Sequence, residues 1–296
     1  MQAKENHFNI KKAVFFILLA SLFFSAMALC VKLSSSRTNI NMIIFVRFGI
    51  SFLYVLMILG IKKIKGKPLL LKTNNILLHV LRSISGLFIM FLLYFSLKYI
   101  SLVTGNLLIM TNPLFIPILG LIFFHQHVDW KHWVAVFIGF IGISFIIKPG
   151  YDVFNPIAIL PLIGAIFAAL VLLLLRILRT RDSHYACLFY NFLFVFIISV
   201  FIALFDWKTP DFYTLCLLLS AGVLGTIYQE LLIRATSYAP AKVTSSLLYS
   251  SLIFSLIFDW IFWHNVPDLL SLTGIVLVCI CNILTVQLIK NKITYD

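Results

Sequence analysis

Ten apolar runs, each long enough to cross a lipid bilayer, take up almost all of this 296-residue chain. A spanning helix needs about 20 mostly apolar residues. Such segments stand at 13–33, 40–61, 76–97, 101–123, 132–148, 156–177, 185–205, 212–233, 243–263 and 268–289. They leave no room for a separate water-soluble domain. Only 11% of the residues are charged and 62% are hydrophobic, against about 25% charged in a soluble domain. The chain therefore lacks the polar surface that water would require. Its runs are continuous in polarity rather than alternating, which argues against a membrane β-barrel. The expected fold class is an all-α polytopic membrane protein with the lipid bilayer as its solvent.

The formal charge of +13 looks at first like a signal for nucleic acid, but its placement says otherwise. With the N-terminus in the cytoplasm, sixteen Lys and Arg residues fall on the inner side, including Lys62, Lys63, Lys65 and Arg181. Five fall outside: Lys32, Arg37, Lys98, Lys148 and Lys208. The loops are short enough for positive charge to set topology, so both termini are expected to be cytoplasmic and no nucleic-acid partner is expected. Cys30, Cys187, Cys216, Cys279 and Cys281 have no metal or disulfide spacing. The stretch "HQHVDWKHW" holds His125, His127, Asp129 and His132. It lacks the thiolates or helical histidine pair of a specific site, so no metal and no cofactor is expected. Trp130 and Trp133 there fit an interfacial belt.

The chain also repeats itself. At an offset of 139, residues 83–148 align with 222–287 without a gap, bringing Gly86 onto Gly225, Tyr99 onto Tyr238, His125 onto His264 and Asp129 onto Asp268. Further upstream the offset is 144, which sets Arg47 against Asn191 and Lys32 against Arg176. Each half, 13–148 and 156–289, holds five segments. An odd number per half inserts the second upside down relative to the first. Inverted repeats of this kind build many secondary transporters, with the substrate near mid-membrane between the halves. "SAMALC" could end a cleaved leader, but the sixth segment would then lose its partner, so the first is read as a spanning helix.

The segment "SLKYISLVTGNLLIMTNPLFIPILGLIFFHQ" (96–126) resembles the signature of EamA-type proteins of the drug/metabolite transporter superfamily. "YAPAKVTSSLLYSSLIFSLIFDWIFWHNVPD" resembles its second-half counterpart, and "VRF" on the second segment is also family-like. The resemblance covers about residues 13–289 and implies a carrier rather than an enzyme. Family members move amino acids, drugs, nucleotide-like metabolites and S-adenosylmethionine. "LLYSSLIFS" resembles the branch that includes S-adenosylmethionine carriers. One departure stands out: the family usually has Glu where this chain has Gln126, with Asn265 at the symmetric position.

Ionisable and polar residues inside spanning segments are the natural site candidates. The substrate cavity is expected to draw on Arg47, Tyr94, Asn106, Met110, Tyr228, Gln229, Glu230 and Tyr249. For Arg47 two readings stand: it snorkels to the outer interface, or it faces the repeat interface and meets a substrate carboxylate or holds the outer gate. Glu230 either pairs with Arg234 at i+4 or sits near the inner gate and couples protons. Asp259, one turn from the end of its segment, reads as a structural interfacial residue. Pro113 and Pro117 predict a bend confined to the fourth segment.

The function expected is secondary transport of a small organic metabolite across the plasma membrane, a bacterial inner membrane, by alternating access. A proton or a counter-substrate would drive it, since no nucleotide-binding motif is present. The alternative is a polytopic membrane enzyme or accessory protein acting on a lipid-linked substrate, which would need acidic and histidine residues clustered at one membrane face. No feature specifies an oligomeric state.

Overall fold

The computed structural model describes residues 10–66, 68, 71–124, 130–147, 155–238, 248–265 and 267–280. Among them every regular element is helical, as hydrocarbon demands of backbone groups that water cannot satisfy. The helices are α1 (Ile10–Ser35), α2 (Ile40–Ile64), α3 (Ile76–Leu97), α4 (Leu102–Ile109), α5 (Asn112–Phe124), α6 (Trp130–Ile147), α7 (Ile159–Arg181), α8 (His184–Phe205), α9 (Phe212–Tyr238), α10 (Ser250–Trp263) and α11 (Leu269–Ile280). A single 3₁₀ turn, Pro156–Ala158, leads into α7. Seven spans are long and apolar enough to cross a membrane, and Phe137–Ile146, Ser250–Trp263 and Leu269–Ile280 are shorter apolar helices. These shorter ones fall within the fifth, ninth and tenth expected segments. His125, Gln126, His127 and Asp129 lie outside the described residues, as do 243–247 and 281–289.

The surface is that of a protein solvated by lipid. Leu53, Phe137 and Phe201 are each more than 60% exposed, while Arg47, Asn106 and Asp259 are at most 2% exposed. Apolar side chains face outward and polar ones inward, the reverse of what water selects. For orientation, the end of the bundle where α1 begins is called the near end, and the end where α1 stops is the far end.

The first large packing unit sets α1 against α9 and α10, and α2 against α8 and α9. The second sets α3 against α7 and α8, and α4 against α7 and α10. Side chains cap the turns where the sequence supplies them. Ser101 accepts from Thr104 N at 3.1 Å, and Ser183 from Ala186 N at 3.1 Å. At the end of α10, His264 takes a left-handed conformation (φ 51°). His264 N then donates to Trp260 O, the 5→1 bond of the αL motif, and Asn265 N donates to Asp259 O.

The fourth expected segment is interrupted. It divides into α4 and α5 at Met110–Thr111, just ahead of Pro113. Proline has no N–H and frees the carbonyl four residues earlier, here Ile109. Asn112 Nδ2 takes that carbonyl at 3.1 Å, Thr111 Oγ1 takes Leu108 O at 2.6 Å, and Tyr249 from the second half takes Met110 O at 3.1 Å. A turn at Leu248–Tyr249 precedes α10, and Tyr249 is the residue that reaches the Met110 carbonyl; the earlier part of the ninth expected segment, 243–247, lies outside the described residues.

α6 and α11 cross at glycines. A Cβ on Gly274 would stand 2.7 Å from Gly142 O, and one on Gly142 would stand 3.0 Å from Gly274 O. Small residues are what permits such backbone approach in membranes. Gly274→Val should therefore lower stability by about 1–3 kcal/mol, read as a drop in the melting temperature of the purified protein. Gly86→Ala is the control, since a Cβ there meets nothing within 4 Å and should change little.

Candidate functional site

Arg47 lies on α2, seven residues from its start, and its side chain turns into the bundle. The residue is 2% exposed, which excludes the snorkelling reading. Its guanidinium carbon lies 4.6 Å from the Phe48 ring centre and 5.6 Å from that of Tyr94 on α3. Gly225 on α9 makes room for it: a Cβ there would stand 3.1 Å from Arg47 Nε and 2.8 Å from Met27 Sδ. Tyr94 is fully buried and its hydroxyl reaches Met27 Sδ at 3.8 Å. One turn along from Gly225, Tyr228 packs on Phe24 of α1 at 5.0 Å. Four helices from both halves thus surround one cation. Nε and Nη1 of Arg47 have no hydrogen-bond partner among the described residues.

A second polar group joins α1, α4 and α10. Asn106 Nδ2 donates to Ser255 Oγ at 2.8 Å, Ser255 Oγ lies 3.2 Å from Ser25 Oγ, and Ser25 Oγ donates to Ser251 O at 2.8 Å. Asn106 Oδ1 and Ser21 Oγ, both buried, have no partner among the described residues. Met110 and Tyr249 close the group through their hydrogen bond. These two are each other's repeat equivalents at the 139 offset.

Glu230 is in neither group. It pairs with Arg234 at 2.9 Å, in favour of the ion-pair reading. Together they line a pocket of about 310 Å³ between α2 and α9, walled by Ile50, Val223, Ile227 and Leu231. Gln229 is half-buried on the same helix. The structure thus brings Arg47, Tyr94 and Tyr228 into one place and Asn106, Met110 and Tyr249 into another, with Glu230 apart from both.

Two further clusters tie the halves together, one at each end. At the far end Asp259 is fully buried rather than interfacial. Its carboxylate accepts Leu102 N at 3.1 Å and Val103 N at 2.9 Å, the exposed donors at the start of α4. Lys32 Nζ lies 3.4 Å from it, donates to Ile100 O at 2.9 Å, and sits 4.3 Å from the Trp263 ring centre. A carboxylate at a helix N-terminus meets both free N–H groups and the positive end of the helix dipole.

At the near end, His79 of α3 meets Asp182, the residue that ends α7. His79 Nε2 and Asp182 Oδ2 are 2.8 Å apart, with side chains 0% and 3% exposed. Thr73 Oγ1 donates to Asp182 Oδ2 at 2.7 Å and Asn75 Nδ2 to Oδ1 at 3.5 Å. Burial pushes the Asp182 carboxyl upward, but the hydrogen bonds from Thr73, His79 and Asn75 outweigh it and leave the group below its ordinary value. The sequence reading did not single out His79, although an ionisable residue inside segment 76–97 was the signal that could have found it.

The EamA-like transporter family matches residues 11–148 and again 155–287. The S-adenosylmethionine uptake transporter of Rickettsia bellii is 28% identical over 208 residues, 70% of this chain and 72% of its own. The pseudopaline exporter of Pseudomonas aeruginosa is 25% identical over 273 residues, 92% of this chain and 94% of its own. The riboflavin transporter of Vibrio cholerae is 30% identical over 215 residues, 72% of each chain. A solved crystal structure, 13% identical, superposes with a TM-score of 0.61 over 95% of this chain and 98% of its own, which speaks for the fold alone. This chain is a multi-pass membrane protein and belongs to the EamA-like transporter family.

Proposed function

We propose that this protein carries a small organic solute across the bacterial inner membrane by alternating access of two inverted five-helix repeats, with both termini in the cytoplasm. The near end is then cytoplasmic and the far end external. Packing supports the repeat: exchanging the halves turns the α1–α9 contact into α7–α3, α1–α10 into α7–α4, and α2–α9 into α8–α3, and all of these pairs touch. The ends match as well. Arg181 donates to Asn75 Oδ1 at 3.2 Å at the near end, and its offset partner Arg37 lies 3.9 Å from Asp211 and 4.8 Å from the Tyr213 ring at the far end.

The observation that carries the reading is the Arg47 guanidinium, buried where both halves meet and short of hydrogen-bond acceptors. Holding an uncompensated charge in such a place is costly, and a solute carrying an anionic group would compensate it. Amino-acid-like and S-adenosylmethionine-like solutes have a carboxylate of this kind, with aromatic or apolar parts suited to Tyr94, Tyr228, Phe24 and Met27. The relatives named above differ in solute, so the kinship supports a metabolite carrier without choosing among them. A proton or a counter-moving solute supplies the driving force.

Counterflow into proteoliposomes tests this. Vesicles loaded with unlabelled S-adenosylmethionine, an amino-acid mixture or nucleosides should accumulate the labelled counterpart transiently and saturably in at least one case. Leak without saturation in every case, or formation of a chemically altered product, would overturn the carrier reading.

A further inference from the structure

We propose that His79 and Asp182 form a proton-binding latch, which ties the near ends of the two halves together while His79 carries a proton and loosens when that proton leaves. The latch's role in transport rests on the carrier reading; the proton site itself does not.

The pair is placed to act as a clasp. α3 belongs to the first half and the α7–α8 turn to the second, and the 2.8 Å contact between His79 and Asp182 spans them. Asp182 is prepared as an acceptor by Thr73 and Asn75. With Asp182 as acceptor, Nε2 of His79 keeps its hydrogen, while Nδ1 is buried with no partner among the described residues, so Nδ1 is where a second proton is gained or lost. Histidine is the side chain whose ordinary charge change falls between pH 5 and 8. A charge-assisted bond to a carboxylate is about twice as strong as a neutral one, so gain or loss of one proton changes the strength of the clasp.

Comparison of the two ends isolates this feature. By the repeat offsets, Asp182 corresponds to Thr38 and His79 to Leu218. The far end therefore keeps the arginine contact, Arg37 for Arg181, but has no titrating pair at the equivalent place. Its Arg37–Asp211 bridge is more than half exposed on both sides, whereas the His79–Asp182 pair is buried. The fold alone does not require a histidine and a carboxylate there.

Among the described residues, other ionisable groups around the pair have contacts of their own. Arg181 on α7 is engaged by Asn75. Arg82, one turn along α3, donates to Cys187 O at 3.0 Å on α8. Tyr190 of α8 packs on the imidazole at 5.0 Å, and Lys62 of α2 sits 3.1 Å from the Tyr185 ring centre. Asp182, held below its ordinary value, would lose its own contribution only as pH falls below about 4. His184 also lies in this stretch of sequence, so the His79→Gln variant is what assigns a change between pH 6 and 8 to His79.

Hydrogen exchange of the full-length protein in nanodiscs tests the latch without a transported solute. After correction for intrinsic pH dependence, amides of 72–83 and 178–190 should exchange about five- to tenfold faster at pH 8 than at pH 6. His79→Gln keeps a donor toward Asp182 but cannot titrate, and should abolish the step. The matching far-end segments, 34–46 and 211–222, should show no step in the wild type. The proposal is overturned by an absent step, by an equal step at the far end, or by a step that survives in His79→Gln. Should that variant not fold, His184→Gln decides instead: the step should survive it, and its loss there would overturn the assignment to His79. Failure of counterflow with an intact step would sink the carrier reading and leave the proton site standing.

Discussion

Arg47→Met should raise the thermal stability of the purified protein while reducing solute counterflow about a hundredfold. The two effects share one cause. Replacing a buried ionic group by an apolar one of similar volume is often neutral or stabilising by about 1–4 kcal/mol, and Arg47 is 2% exposed with two nitrogens lacking a hydrogen-bond partner among the described residues. Removing the charge that faces an anionic substrate group costs about 2–5 kcal/mol of interaction, which at 1.4 kcal/mol per decade spans losses from about thirtyfold to several thousandfold, with the hundredfold figure toward the lower end. Arg47→Lys should fall between, because an ammonium supplies charge without the bidentate fork. Melting curves and counterflow on the same preparation read both. A melting temperature that falls, with counterflow intact, would assign Arg47 to packing alone.

Asp259→Ala should be the most destabilising single change in the described bundle, at about 3–5 kcal/mol. Truncating one partner of a buried charge pair leaves the other uncompensated. Here the loss also strips the cap from α4, because Leu102 N and Val103 N lose their acceptor. Asp259→Asn keeps one acceptor oxygen and should recover part of the loss. The decisive comparison is the double variant with Lys32→Met. If Lys32 and Asp259 act as a pair, the double variant is more stable than Asp259→Ala alone, since the stranded ammonium is gone. Strict additivity of the two changes in thermal unfolding would contradict that coupling.

The fold was legible because the membrane constrains it so tightly. Apolar run length located most of the helices within a few residues, and the 139 offset marked Met110 and Tyr249 as equivalent positions without showing that they touch. The misses have physical causes. The prolines announced an interruption in the fourth segment, but not that Tyr249, 139 residues further along, would donate to the Met110 carbonyl at that break, a contact no local propensity encodes. Asp259 read as interfacial because sequence gives depth along a helix and not direction around the bundle. Arg47 had the same ambiguity, settled by Gly225 on a distant helix. Glu230 could be paired with Arg234 from spacing alone, because a contact at i+4 needs no tertiary information.

On the inverted-repeat reading proposed above, the hydrogen bond between Met110 and Tyr249 has an ancestral meaning. A residue that touches its own equivalent would then sit where two separate five-helix proteins, packed antiparallel about a two-fold axis as a homodimer, each offered the same position to the other. In such a dimer the contact has to be self-complementary, donor and acceptor alike on both sides. Once the copies are joined in one polypeptide that requirement lapses. One copy then holds a tyrosine that only donates here, while the other contributes a bare main-chain oxygen and a flexible thioether. The contact records fusion as a release from symmetry.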